Sequence, residues 1–254
     1  QHLDATAKAG GDASLGKLRL VTIGGSAAPR AMIERLMKQS IRVAHAWGMT
    51  ETSPLAAICH LDSDQLMLDV NAQADLRTQV GRIMFGVECR VVEPGTATSV
   101  PWDGESSGEL QCRGNWIAST YYNDERAGES FTDDGWLRTG DIAVVDEDGH
   151  LYMVDRLKDL IIVSGFNVFP AEVEGVLSAH PDIAEVVVVG TPHPHTGEAV
   201  RAYVVTRNGV HLDEDAIIDY CRTKLARYKC PSKILFVETL PRNISGKVQR
   251  FALK

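Results

Sequence analysis

Apolar positions recur along the chain with two periods, and the texture changes twice. LRLVTIGG (18–25) is a short apolar run closed by glycines, the pattern of a buried strand. Pro29 then opens PRAMIERLMKQS, where Met32, Ile33, Leu36 and Met37 recur at helical spacing. IRVAHAWG (41–48) reads as a second strand, parallel to the first in a βαβ unit. From about Val80 to Val154 the pattern shortens to β-runs between turns: GRIMFGVECRVVEP, GELQCRG, then DIAVVDEDGHLYMVD with Asp148-Gly149 as a hairpin turn. After DRLKD (155–159) the alternation returns. LIIVSG is strand-like, PAEVEGVLSAH (170–180) is a helix with Pro in its first turn, and IAEVVVVG and EAVRAYVVTR are strands. DEDAIIDYCRTKLARY is an amphipathic helix with acids at its start and bases at its end, and KILFVETLP is the last strand. The pattern predicts a mixed α/β (α+β) chain, with a β-rich subdomain over about 80–154 and a compact α+β tail.

Composition narrows the function. The 254 residues carry 26 basic and 34 acidic side chains, a net charge of −8, so a broad surface for nucleic acid or acidic membrane is excluded, while a local basic site stays open. The five cysteines are scattered without a CxxC pair, which argues against a disulfide framework or structural zinc and for a reducing, cytoplasmic setting. No apolar run approaches a membrane span, and the first residues have neither a basic nor an apolar leader segment. Peripheral membrane attachment stays open. The first residue is Gln, so the chain is expected to begin inside a longer protein.

Four polar clusters close predicted strands, where α/β folds place their sites. GGSAAP (24–29) offers Gly24 and Gly25 for close backbone approach. HAWGMTETSP (45–54) sets Trp47 and Gly48 ahead of the Thr50 hydroxyl and the Glu51 carboxylate, a set suited to a planar base, a phosphate and a divalent cation. Its plain alternative is a buried Trp and a helix cap. GWLRTGD (135–141) presents Asp141, a carboxylate able to accept two hydroxyls, although a TGD alone is a turn. DRLKDLIIVSGFNVFP (155–170) alone reads as a solvated charged face and a helix entrance. A fifth stretch, PRNISGKVQR (241–250), ends in Gly-Lys without the glycine-rich head of a P-loop, and Val248 stands where that loop needs Ser or Thr. His193 and His195 lack a nearby third metal ligand, and neither Cys221 nor Cys230 has a visible base.

In this order and spacing, GGS…WGMTE…GWLRTGD…DRLKDLIIVSGFN…PRNISGK resembles the adenylate-forming (ANL) superfamily, which holds acyl- and aryl-CoA synthetases, peptide-synthetase adenylation domains and beetle luciferases. VSGFNVFPAEVE and LPRNISGK look most like fatty acyl-CoA synthetases, and WGMTETSP like their medium- and long-chain bacterial members. The resemblance implies that a fatty acid attacks the α-phosphate of ATP, giving acyl-adenylate and pyrophosphate, and that CoA then displaces AMP. It further implies that Trp47 stacks on adenine, that Gly24, Gly25 and Gly48 line the nucleotide, that Thr50 touches phosphate and that Glu51 holds Mg²⁺. Asp141 and Arg156 would bind ribose or phosphate, Lys247 would be the catalytic lysine of adenylation, Lys158 the hinge, and Ser164 and Gly165 the CoA-facing turn. The implied layout is the end of a large AMP-binding domain (1–155), a hinge (156–158) and a small mobile domain (159–254) that rotates between the half-reactions.

One departure qualifies the resemblance. The family's Ser/Thr/Gly-rich phosphate loop, which precedes the GGS turn, is absent, as are the strands before it. The chain is therefore expected to be the C-terminal part of an enzyme, inactive or weak alone, with apolar edges that would favour homo-oligomers. A ligase loading a carrier protein, a luciferase-like oxygenation and an inactive nucleotide-binding fragment are the other readings.

Overall fold

β1 (Leu20–Ile23) and β2 (Arg42–Trp47) pair in parallel, Val21 opposite Val43 and Ile23 opposite His45, and α1 (Arg30–Met37) connects them as the sequence pattern predicts. The computed structural model describes residues 16–25, 28–207, 210–244 and 246–254. Ile33 and Leu36 of α1 are buried beside Ile41 and Val43, which sets the helix on the two strands. Each such side chain, fully buried, contributes roughly 1.5–3 kcal/mol.

β3 (Ala57–Ile58), α2 (Val70–Leu76), β4 (Gly81–Ile83), β5 (Val87–Val92), β6 (Ser107–Gly114), β7 (Leu137–Val145) and β8 (His150–Arg156) follow. Asp69 caps α2, accepting from the N–H groups of Asn71 at 2.8 Å and Ala72 at 3.0 Å. The eight strands form one sheet, β1-β2-β3-β4-β8-β7-β6-β5. The β-rich stretch thus extends the sheet of the first βαβ unit. Trp47, Leu110, Leu137 and Leu151 share its core.

β9 (Ile161–Val163), β10 (Phe166–Val168), α3 (Pro170–Ser178), β11 (Ile183–His193), β12 (Gly197–Thr206), α4 (Glu214–Arg222) and β13 (Lys233–Phe236) complete the chain. Their sheet runs β10-β9-β12-β11, with β13 parallel to β12. Leu177, Val188 and Ile217 meet in its core. Two expectations are corrected here. Residues 166–168 are a strand, not only a helix entrance. The helix predicted over 213–228 stops at Arg222, where the Thr223 hydroxyl donates to the Tyr220 carbonyl at 2.7 Å and a 3₁₀ turn follows at Arg227–Lys229.

The chain divides into two compact units, Gln1–Thr139 with Ala143–Met153, and Gly140–Ile142 with Val154–Lys254. Among the described residues no helix is long and apolar enough to cross a membrane.

Candidate active site

In the first unit the candidate residues gather at the C-terminal ends of β1 and β2. Gly24 and Gly25 are exposed there; a Cβ on Gly24 would come 3.2 Å from the Ala46 carbonyl, whereas Gly25, at φ +78°, faces open space. β2 ends at Trp47, and the chain then turns through a 3₁₀ helix, Thr50–Thr52. The turn is shaped by Thr52, which the sequence reading passed over. Its buried Oγ1 accepts the Met49 N–H at 2.8 Å and lies 3.0 and 2.9 Å from the Met49 and Pro54 carbonyls, either of which can take its proton. Thr50 is exposed on this turn and Glu51 is half-buried.

Two residues of the cluster have structural reasons of their own. Gly48 is packed so closely that a Cβ would come 1.9 Å from the Pro54 carbonyl oxygen. Trp47 is 7 % exposed and packs with Ala56 and Ala57 in the sheet core, so this conformation leaves little of its face for a ligand.

Glu51 is held from two sides. Its carbonyl accepts the Ala118 N–H at 2.8 Å, and its Oε1 accepts the Tyr121 hydroxyl at 2.6 Å. This bond, more than burial, pushes the Tyr121 phenol above its ordinary value. Phe131, with its ring centroid 5.8 Å away, backs the Tyr121 ring. Tyr121 was missed because it lies 70 residues from its partner, beyond any local pattern. Among the described residues no group of three His, Cys, Asp or Glu side chains could hold a metal ion. A single carboxylate such as Glu51 does fit Mg²⁺, which takes one or two carboxylates and completes its shell with phosphate oxygens and water.

Asp141 and Arg156 belong to the second unit. Gly140, at φ +66°, sits inside β7, where the inward positions alternate through Leu137, Thr139 and Asp141 before burial becomes continuous from Ile142. Asp141 is buried on that inward face, and its Oδ1 pairs with Arg156 Nε at 2.7 Å. The carboxylate is 5 % exposed and the arginine 41 %. Neighbouring Asp155 accepts the Arg156 N–H and the Ala171 N–H at the start of α3, each at 2.8 Å. Lys158 is exposed in the 3₁₀ turn Leu157–Asp159.

Ser164 and Gly165, at φ +51° and +84°, are the two central residues of the β9–β10 hairpin. Both positive φ values mark a two-residue hairpin turn that presents its tip to solvent. Lys247 lies at a second tip, after β13. Its N–H donates to Asn243 Oδ1 at 2.8 Å, its carbonyl accepts the Asn243 N–H at 2.9 Å, and Arg242 pairs with Val248 across the loop. The backbone is fixed while the side chain is exposed.

A family model for the AMP-binding enzymes matches residues 1–122, and one for the AMP-binding enzyme C-terminal domain matches residues 172–247. The chain belongs to the AMP-binding enzymes. Such a member from Ruegeria pomeroyi, a 3-methylmercaptopropionyl-CoA ligase, is 36% identical over 255 residues, covering 100% of this chain and 47% of that protein. ATP-bound MatB from Rhodopseudomonas palustris superposes with a TM-score of 0.81 at 33% identity, over 92% of this chain and 44% of that one. The o-succinylbenzoate CoA synthetase MenE of Bacillus subtilis, in complex with its acyl-adenylate intermediate, gives 0.77 at 34% identity, over 93% and 46%. This AMP-binding chain thus spans under half the length of each relative.

Proposed function

We propose that the whole protein is an acid–thiol ligase that activates a carboxylic acid with ATP and transfers the acyl group to CoA. In the first step a carboxylate oxygen attacks the α-phosphorus and the bond to pyrophosphate breaks. In the second the CoA sulfur attacks the acyl carbon, and AMP leaves as the C–O bond breaks. The observation that carries the reading is Lys247, an exposed ammonium on a backbone fixed by Asn243 at 2.8 and 2.9 Å. A point charge on a flexible stem suits charge developing at a phosphoryl centre without a P-loop.

The remaining roles follow in this proposal. Asp141, buried and already paired with Arg156, accepts the ribose hydroxyls, and Arg156 reaches ribose or phosphate. Exposed Gly24 and Gly25 line the base, Gly48 and the buried Trp47 back it from the sheet and would need to open for direct stacking, and Thr50 contacts phosphate. Glu51 would hold Mg²⁺, which when bound offsets phosphate charge. The Ser164–Gly165 tip faces the thiol in the second step, with Lys158 as hinge. For the acid we propose a fatty acid, on the likeness of VSGFNVFPAEVE and LPRNISGK to fatty acyl-CoA synthetases. The relatives' names carry other acids, 3-methylmercaptopropionate and o-succinylbenzoate, which belong in any substrate panel.

The test is acid-dependent exchange of pyrophosphate into ATP by the whole protein across such a panel, with CoA products read by mass. Lys247→Ala is expected to lower exchange about 10²–10³-fold and to spare thioester formation from supplied acyl-adenylate. Equal loss of both half-reactions would refute the role. Acyl-adenylate without thioester would move the acceptor from CoA to a carrier protein.

A further inference from the structure

Arg250 stands three residues beyond Lys247 and ties it to three elements. Its Nη1 and Nη2 grip the Glu174 carboxylate of α3 at 2.5 and 2.9 Å, and Nη1 donates to the Val188 carbonyl of β11 at 2.7 Å. Its Nε lies 3.7 Å from Asp159 in the turn after β8. Glu174 is held in turn, accepting the Val188 N–H at 2.7 Å. Both side chains are mostly buried, 24 % and 18 % exposed. Burial pushes the Glu174 carboxyl up, and the guanidinium pulls against it.

The other contacts around Lys247 do different work. The Asn243 bonds and the Arg242 bond to the Gly246 carbonyl at 2.8 Å lie inside the loop, so they shape it without attaching it to anything else. Outward, Arg242 pairs with Glu185, but that pair is exposed and screened by water. Val248 adds apolar contact with Val187 and Val189, which is not directional. Further along, the Tyr203 hydroxyl of β12 donates to the Leu253 carbonyl at 2.9 Å, a single bond near the end of the chain, whereas the buried two-pronged Arg250–Glu174 pair fixes orientation as well as distance close to Lys247. The Gln249 N–H donates to the Pro241 carbonyl at 2.9 Å, so the loop is closed on itself up to residue 249 and moves as one piece when it is released at residue 250. A displacement of about 1 Å of that piece is enough to misplace the Lys247 ammonium.

We propose that Arg250, acting through Glu174, is a positioning residue for Lys247 in the adenylation step, an inference that rests on the ligase reading above. Removing Arg250 alone strands a buried carboxylate and can cost the fold. The decisive protein is therefore the double variant Glu174→Gln with Arg250→Met, in which the neutral amide oxygen still accepts the Val188 N–H and its NH₂ is offered to the Val188 carbonyl that Arg250 serves in the wild type. In the whole protein, pyrophosphate exchange by this variant is expected to fall about 10–100-fold in kcat, the scale of a small misplacement of a catalytic group. KM for ATP and acid, and thioester formation from supplied acyl-adenylate, should stay within about threefold, since uniform binding and the second step do not use the tether. Arg250→Lys should recover part of the exchange. A double variant that exchanges at the wild-type kcat, or that loses both half-reactions equally, overturns the proposal. Wild-type protein that exchanges with no acid, or Lys247→Ala that exchanges normally, refutes the ligase reading instead, and the inference falls with it.

Discussion

Glycine at residue 48 and glycine at residue 140 flank candidate site residues for opposite reasons, and the difference is measurable. At Gly140 a Cβ meets nothing within 4 Å, so substitution costs only the left-handed backbone at φ +66°. Gly140→Ala should therefore destabilise by about 1–2 kcal/mol. At Gly48 the Cβ would lie 1.9 Å from backbone oxygen at Pro54, which no rotamer relieves. Gly48→Ala should cost about 3 kcal/mol or more, beyond the usual range for overpacking. Urea unfolding of the two variants gives the order directly, and equal shifts of the midpoint would mean that the Pro54 contact relaxes. In the sequence both glycines simply stand beside a candidate site residue, Gly48 after Trp47 and Gly140 before Asp141. Only the path of the chain at Pro54 separates a packing glycine from a turning one.

At the scale of elements, the β7–β8 hairpin hangs on Asp146. Its Oδ1 accepts the His150 N–H at 2.8 Å, its Oδ2 accepts the Tyr152 hydroxyl at 2.9 Å, and His150 Nδ1 lies 3.2 Å from the same oxygen. Burial works to raise its pKa, but these bonds together hold it below the ordinary carboxylate value, while burial and Asp146 push the Tyr152 phenol up to about 12. A carboxylate depressed in the folded state stabilises above its unfolded pKa of about 3.9 and loses that contribution as pH falls through the folded value. Asp146→Asn should thus lower stability at neutral pH by about 1.5–3 kcal/mol, the range for hydrogen bonds to a charged group. The deficit should shrink as pH drops below about 4, as wild-type Asp146 takes up its proton. Denaturant midpoints of both proteins between neutral and acid pH check this, and a constant gap would rule it out.

The same hairpin shows what was legible. Asp148-Gly149 announced the turn, and the 3.6- and 2-residue periods announced β1, α1, β2 and α3, because those signals are local. The continuous eight-stranded order was not legible, since β4 meets β8 across the chain, Gly81 opposite Leu151. β10 was hidden by its three residues, and the early end of α4 by a Thr223 hydroxyl that competes for backbone. Among the candidate residues the motif order drew attention to Glu51, Asp141 and Lys247. What holds Glu51 and the Lys247 loop, namely Tyr121 and Arg250, came from contacts 70 and 76 residues apart.

For the whole molecule, the proposed ligase raises the question of how one chain would serve two half-reactions. The partition between its units falls at Met153–Val154, and the turn Leu157–Asp159 follows. On either side of Lys158 the chain is tied down, by Arg156 to Asp141 at 2.7 Å, by Asp155 to the start of α3 at 2.8 Å, and by Leu160 N–H to the Leu157 carbonyl at 3.3 Å. Exposed Lys158 is the central residue of that turn, held only by the long Leu157–Leu160 bond that closes it, so a change of backbone angle there breaks one weak bond. Proline at this position fixes φ near −65° and restricts residue 157 as well. A ring that stiffens the turn should leave adenylation near its wild-type rate if that step uses the present backbone, and should slow whatever step needs another. Lys158→Pro is accordingly expected to keep pyrophosphate exchange within about threefold while thioester formation from supplied acyl-adenylate falls about tenfold or more, as for hinge substitutions that gate a step. Lys158→Ala, which removes the charge but leaves φ free, should spare both. If the alanine variant loses thioester formation as fully as the proline variant, the residue acts through its ammonium and the hinge assignment fails.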